Sequence, residues 1–221
     1  MARKLTGTAF VSLDGVMQAP GGTTEDPTGG FPHGGWLFGH SDEAIDETIG
    51  PLFDRPFALL LGRRTYDIFA AYWPFAPADD PIAVSFARCE KFVLTHSDTP
   101  LTWQGSQRLA NIDHVARIKA QDGPELVIQG SSTLYPQLLT AGLIDELVVL
   151  TAPVLLGRGK RLFGDGTAPG GWRMTAFRTG SKGCVAAHYV PDGPVQTGTF
   201  GEQGPNPLEQ DRQRRMEEGT W

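Results

Sequence analysis

Residues 57–61 (FALLL), set between Pro56 and Gly62, limit what this chain can become more than any other stretch. A short unbroken apolar run stopped by turn residues reads as a strand covered on both faces, and such a strand needs helices above and below its sheet. The pattern recurs in KFVLT (91–95), ELVIQ (125–129) and ELVVLT (146–151). Helical patterns lie between these runs. Residues 65–73 carry Tyr66, Phe69 and Trp73 on one face, residues 112–120 form a second helix, and Gly130-Ser131-Ser132 opens a third that runs through Leu139 and ends at Gly142. Alternation of this kind from 57 to 151 predicts an α/β fold with a mainly parallel sheet.

Flanking segments complete the outline. Residues 5–13 read as a strand closed by the Asp14-Gly15 turn, and residues 41–54 as a helix with Ser41 as N-cap and acids in its first turn, broken or ended at Gly50-Pro51. Residues 172–179 and 184–190 read as a closing antiparallel pair around 180–183. Beyond Pro191 the chain turns Gly/Pro/Thr/Gln-rich, and residues 208–218 are almost wholly polar or charged. The expected organisation is one domain over 1–190 and a polar tail over 191–221, in which a short solvated helix is the most structure expected.

Composition narrows the function classes. The 28 glycines and 17 prolines among 221 residues are about a fifth of the chain, against a usual share of about 12%. They are densest over 18–35, where six Gly and three Pro fall in 18 residues; a loop that long in a compact domain is functional or mobile. A net charge of −6 with no basic stripe argues against a nucleic-acid partner. Cys89 and Cys184 form neither a metal-ligand spacing nor a disulfide framework, so no metal site is expected and a reducing compartment fits. The N-terminus lacks the apolar stretch of a signal peptide, and no run approaches the ~20 residues of a membrane span. A soluble cytoplasmic protein with a small-molecule substrate is the expectation.

Three strand ends carry candidate chemistry. In LLLGRRTYDIF (59–69), Gly62 admits close backbone approach, Thr65 and the helix N-terminus offer donors, and Arg63 and Arg64 add cationic forks suited to phosphate. The bland alternative is a strand–turn–helix with solvated arginines. In ELVIQGSSTLYPQLL (125–139), Gly130, Ser131 and Ser132 open a helix without the full G-x-G-x-x-G. Thr95, His96 and Ser97 follow a third strand, either as a ligand loop or as an exposed turn. Ligands of open α/β sheets bind beyond the strands' carboxyl ends, so three polar strand ends together suggest a dinucleotide.

SLDGVM (12–17), LLLGRRTY (59–66), KFVLTHS (91–97), the glycine-opened helix at 130 and AGLIDELVVLTAPVLLGRGKRLF (141–163) occur in an order and spacing that resembles the dihydrofolate reductase superfamily. Within it they are most similar to the branch of the reductase domain of the bifunctional riboflavin-biosynthesis deaminase/reductase. The resemblance covers about residues 3–190, and the 141–163 segment is its most specific part. It implies a dihydrofolate reductase-like three-layer fold: a central, mostly parallel sheet, an antiparallel C-terminal strand pair and helices on both faces. It further implies NADPH as hydride donor, a small heterocyclic, pterin- or pyrimidine-like substrate, and a homodimer.

Carried over by residue, Gly62, Arg63, Arg64 and Thr65 match the first phosphate-binding turn. Thr95, His96 and Ser97 match the loop that meets the adenosine 2′-phosphate. Gly130, Ser131, Ser132 and Thr133 match the pyrophosphate turn, with Ser131 where dihydrofolate reductases have a second glycine. Counting back from LLLGRRT places Asp46 as the acid of the first helix, one turn after Asp42 and Glu43; the alternative is a solvated acidic helix face. Thr151 matches a threonine on the substrate side, or is an ordinary strand residue. Asp14 lies near where nicotinamide is expected, or serves its Asp-Gly turn; Trp36 walls the substrate pocket or anchors packing.

Departures from the family pattern also inform. Residues 16–36 contain no Arg or Lys, which disfavours a phosphoribosyl-pyrimidine, and no H-x-E or P-C-x-x-C occurs, so no zinc-deaminase module is expected. The leading expectation is an NADPH-dependent oxidoreductase, with the proton from Asp46 or ordered water. A non-catalytic nucleotide-binding or interaction protein competes with it. A kinase-like phosphate binder is opposed by the missing G-x-x-x-x-G-K-[ST].

Overall fold

The computed structural model describes residues 2–164, 166–201, 204 and 206–220. Eight strands form one sheet: β1 (Leu5–Ser12), β2 (Phe57–Gly62), β3 (Lys91–Leu94), β4 (Ser106–Leu109), β5 (Glu125–Gln129), β6 (Glu146–Ala152), β7 (Trp172–Thr179) and β8 (Val185–Pro191). Their order is β4-β3-β2-β5-β1-β6-β8-β7. The six strands from β4 to β6 run parallel, while β8 is antiparallel to β6 and β7 to β8, with a bulge between Met174 and Ala176.

The all-apolar strands behave as their composition requires. Leu59 and Leu61 pack toward one face, Ala58 and Leu60 toward the other, and all four are 0% exposed. On the first face lie α1 (Glu43–Asp54), α2 (Arg63–Tyr72) and α3 (Pro81–Arg88), contributing Ile45, Leu52, Tyr66 and Phe86. On the second lie α4 (Ile112–Ala120) and α5 (Leu134–Thr140), contributing Val115, Tyr135 and Leu138. This is the three-layer arrangement the sequence predicts.

Details differ from expectation. Asp42, not Ser41, caps α1: its carboxylate accepts the Ala44 N–H at 3.2 Å and also those of Lys182 (2.9 Å) and Cys184 (3.2 Å). The cap therefore ties α1 to the β7–β8 turn, where a Cβ on Gly180 would collide with the Asp42 carboxylate. Pro51 does not end α1 but sits inside it. A helix-interior proline costs about 3 kcal/mol, while burying Leu52 and Phe53, each under 10% exposed, returns about 1.5–3 kcal/mol apiece. Packing wins. β4 and α3 are additional elements that the apolar pattern does not reveal. The tail carries α6 (Pro207–Glu217), capped by Asn206, with no buried residue. Among the described residues no helix is long and apolar enough to cross a membrane.

Candidate active site

A cleft of about 840 Å³ opens beyond the carboxyl ends of β1, β2 and β5. One end is built from two turns that are bonded to each other. The Gly62 N–H donates to Ser131 Oγ at 2.9 Å, and the Ser131 N–H donates to Thr65 Oγ1 at 3.0 Å. Gly130 (φ +71°) needs the left-handed region that glycine favours, and a Cβ there would sit 3.1 Å from Thr65 Cγ2. Ser131 adopts φ +62° itself; the hydrogen bonds of its hydroxyl and amide hold that strained conformation. The first N–H groups of α2 have no carbonyl four residues earlier in the helix, and Arg64 lies exposed at the cleft with no ion pair among the described residues.

A second wall is formed by Ile68, Phe69, Tyr72 and Trp73 of α2 and the turn after it, with Phe69 and Trp73 backed by the Phe86 ring. The third is the Gly/Pro-rich segment, which is tied down at Gln18. The Gln18 amide donates to the carbonyls of Asp26 and Thr28, both at 2.9 Å, and accepts the Lys160 N–H at 3.0 Å. The Trp36 indole donates to the Gln18 carbonyl at 2.8 Å. Buried Asp26 pairs with the Lys160 ammonium, which also reaches Thr28 Oγ1 at 2.8 Å.

Two neighbouring carboxylates in this wall are driven in opposite directions. Burial pushes the Glu25 carboxyl above its ordinary value, although the N–H groups of Gly21 (2.7 Å) and Gly22 (3.1 Å) partly oppose it. Burial also acts on Asp26, but the bonds from Lys160 and Thr28 outweigh it and hold that carboxyl below its ordinary value.

Of the residues singled out in the sequence, Gly62, Arg64, Thr65, Gly130, Ser131, Ser132 and Thr133 meet at the cleft. Arg63 turns beside it, bonded to Asp67 at 2.9 Å and donating to the Thr99 carbonyl at 2.7 Å. That contact joins Arg63 to the loop of Thr95, His96 and Ser97, where Thr95 Oγ1 accepts the Ser97 N–H at 3.0 Å and Arg108 donates to the His96 carbonyl at 3.2 Å.

The structure does not bring the remaining four to the cleft. Asp46 is exposed on α1, because Ala44, Ile45, Thr48 and Ile49 take the buried face. Thr151 alternates with Leu150 and so points from the opposite face of β6. Asp14 braces the segment after β6, accepting the N–H groups of Leu156 (3.1 Å) and Gly157 (2.8 Å); the Ser12 hydroxyl, then Leu156, hold its carboxyl down to about 2. Trp36 anchors the loop. Glu25, Lys160 and Gln129 also line the cleft but carry no local motif.

An α/β domain of dihydrofolate reductase-like fold is what this architecture defines. The chain belongs to the RibD C-terminal domain family, whose model matches residues 3–186. A Bacillus subtilis protein, YyaP, is 24% identical over 189 residues, covering 81% of this chain and 90% of its own. A Shewanella sp. PV-4 structure described as a riboflavin biosynthesis protein superposes with a TM-score of 0.63 at 23% identity, covering 87% of this chain and 99% of that one. Dihydrofolate reductase from Enterococcus faecalis, complexed with NADP(H), superposes with a TM-score of 0.56 at 14% identity and the same coverage.

Proposed function

We propose that the protein is an NADPH-dependent reductase that delivers hydride to a small pterin- or pyrimidine-like heterocycle. The observation that carries this reading is the convergence of two cross-bonded glycine turns and Arg64, which has no ion pair among the described residues, at one end of a cleft with an aromatic wall. The donor set suits a diphosphate, and Gly130 leaves its backbone open to close approach. Arg63, with His96 and Ser97 beside it, suits the 2′-phosphate that distinguishes NADPH from NADH. When bound, the reduced nicotinamide supplies the hydride.

The chain's own residues supply the rest. Phe69, Tyr72 and Trp73 offer an apolar surface on which a flat ring can lie and exclude water. Lys160, the cation of the opposite wall, is engaged by Asp26, which favours an uncharged substrate over a phosphorylated one. Glu25 is the acid we assign as proton donor in place of Asp46, because it lines the cleft and burial favours its protonated form. Glu25→Gln is expected to lower kcat by about 10²–10⁴-fold with cofactor affinity unchanged, and Asp46→Asn to leave both unchanged. In the wild type kcat falls as pH rises through the raised value of Glu25. The opposite ranking of the two variants in steady-state assays returns the role to Asp46.

The decisive experiment is consumption of NADPH with pterin, pyrimidine and quinone acceptors, beside a binding titration of NADPH. Binding without consumption by any acceptor marks a non-catalytic nucleotide binder. A homodimer belongs to the same reading. The edge strand β7 exposes Met174 and Phe177 (49% and 65%), with the less open Val185 (37%) on β8, an apolar edge that a partner would cover. Phe177→Lys is expected to yield monomers in light scattering, and a wild type that is itself monomeric contradicts it.

A further inference from the structure

The floor of the cleft holds one polar atom that the protein leaves unanswered, and a second lies buried next to it on the same face of the sheet. Gln129, the last residue of β5, lines the cleft, yet its Oε1 is buried without a hydrogen-bond partner. In register beside it on β1 is Thr8, 0% exposed, whose Oγ1 also has none. Thr8 and Phe10 share a face of β1, and Phe10 is itself a cleft residue, so both open atoms lie on the cleft side of the sheet. Two residues earlier on that face the chain solves the same problem internally, since the Thr6 hydroxyl donates to Glu125. Buried polar side-chain atoms are nearly always paired. Gln129 at the cleft lining and Thr8 beside it are two adjacent exceptions, and a ligand seated in this cleft is what would complete the bonding.

The chemistry of the gap states what fits. A glutamine Oε1 only accepts, while its amide nitrogen only donates. The matching partner presents an N–H beside a C=O, and a hydrocarbon or ether edge leaves both atoms stranded. We propose that Gln129, with Thr8 beside it, is the specificity element of this cleft and reads an amide edge, a carboxamide or a ring lactam. Such an edge is carried both by the nicotinamide of a dinucleotide and by a pterin or pyrimidine ring. The inference rests on the reductase reading for its choice of ligands, but not for its geometry.

Gln129→Leu and Thr8→Val test it, read by thermal melting and by calorimetric titration. In the ligand-free protein each substitution removes an unpaired buried polar atom, so Tm is expected to rise by about 2–4 °C. Titrations use NADP⁺, 2′-phospho-ADP-ribose (the same molecule without nicotinamide), 7,8-dihydropterin and menadione. Gln129→Leu is expected to weaken an amide-bearing ligand by roughly tenfold, with 2′-phospho-ADP-ribose and menadione unaffected. Loss on NADP⁺ assigns the edge to the cofactor, and loss on dihydropterin to the substrate. Wild-type binding of amide ligands that neither variant weakens overturns the inference and leaves the reductase reading standing. A fall in Tm in both variants also overturns it, because the two atoms are then already satisfied by water. Failure of the wild type to bind NADP⁺ and 2′-phospho-ADP-ribose overturns the reductase reading alone if dihydropterin binding depends on Gln129, and overturns both if it does not.

Discussion

Arg64→Ala is expected to weaken NADPH and NADH alike, by about 10–100-fold at low salt, because a hydrogen bond to a charged group contributes about 1.5–3 kcal/mol. Arg64 is the cleft-lining arginine with no protein partner among the described residues, so its guanidinium is available to a diphosphate common to both cofactors. Arg63 predicts the contrasting result. Its guanidinium is held by Asp67 and the Thr99 carbonyl, next to the loop assigned to the 2′-phosphate, so Arg63→Ala costs NADPH affinity and spares NADH. Titration of both variants with both cofactors at two ionic strengths checks the pair, since the charge contribution shrinks as salt rises. Equal losses in Arg63→Ala remove the 2′-phosphate role, and an unaffected Arg64→Ala removes the diphosphate role.

These two arginines show what a sequence can and cannot convey. LLLGRRT announces a strand, a turn and a helix start, because each is a local property of a few residues. Which arginine is free is not local: Thr99, thirty-six residues on, decides it. The same division runs through the fold. Strands buried on both faces are legible from their apolar runs, whereas β4 (SQRL) is a short edge strand with mostly polar, outward side chains and offers no such pattern. α3 had a readable signal in Asp80 before Pro81, where the carboxylate accepts the Ile82 and Ala83 N–H groups at 2.9 Å. Pro51 misleads because propensity is weighed against the burial of Leu52 and Phe53, which a local pattern does not price. For Asp46 the helix period itself carries the answer: the apolar set 44, 45, 49, 52 and 53 turns position 46 outward. Glu25, Gln129 and Lys160 come from three distant segments, and only the packed chain brings them to one cleft.

Lys160→Met is expected to destabilise the protein by about 2–3 kcal/mol. That is below the about 3–5 kcal/mol for breaking a fully buried pair, because the Lys160 side chain is 29% exposed while Asp26 is 8% exposed. The pH dependence gives the sharper test. In the wild type the Asp26 carboxyl is held below its ordinary 3.8. Its contribution to stability is therefore complete above about pH 4 and is lost as pH falls through the lowered folded value. Without the ammonium, burial is the dominant influence left, and the carboxyl moves above its ordinary value. The sign then reverses for this group: protonation relieves the buried charge, so relative to the wild type the variant gains stability as pH falls toward 4. Urea unfolding at pH 7 and pH 4.5 reads this difference directly, and parallel slopes for the two proteins contradict the assignment. Asp26→Asn in the Lys160→Met background should recover part of the loss at pH 7, because it removes the stranded charge and keeps an acceptor for Thr28. Since Asp26 adjoins Glu25 in the same cleft wall, the variant should also disturb substrate binding. The site then depends on a pair that does no chemistry of its own: Lys160 holds the Asp26 carboxyl below its ordinary value and ties it to the loop, while burial pushes the neighbouring Glu25 carboxyl above its own.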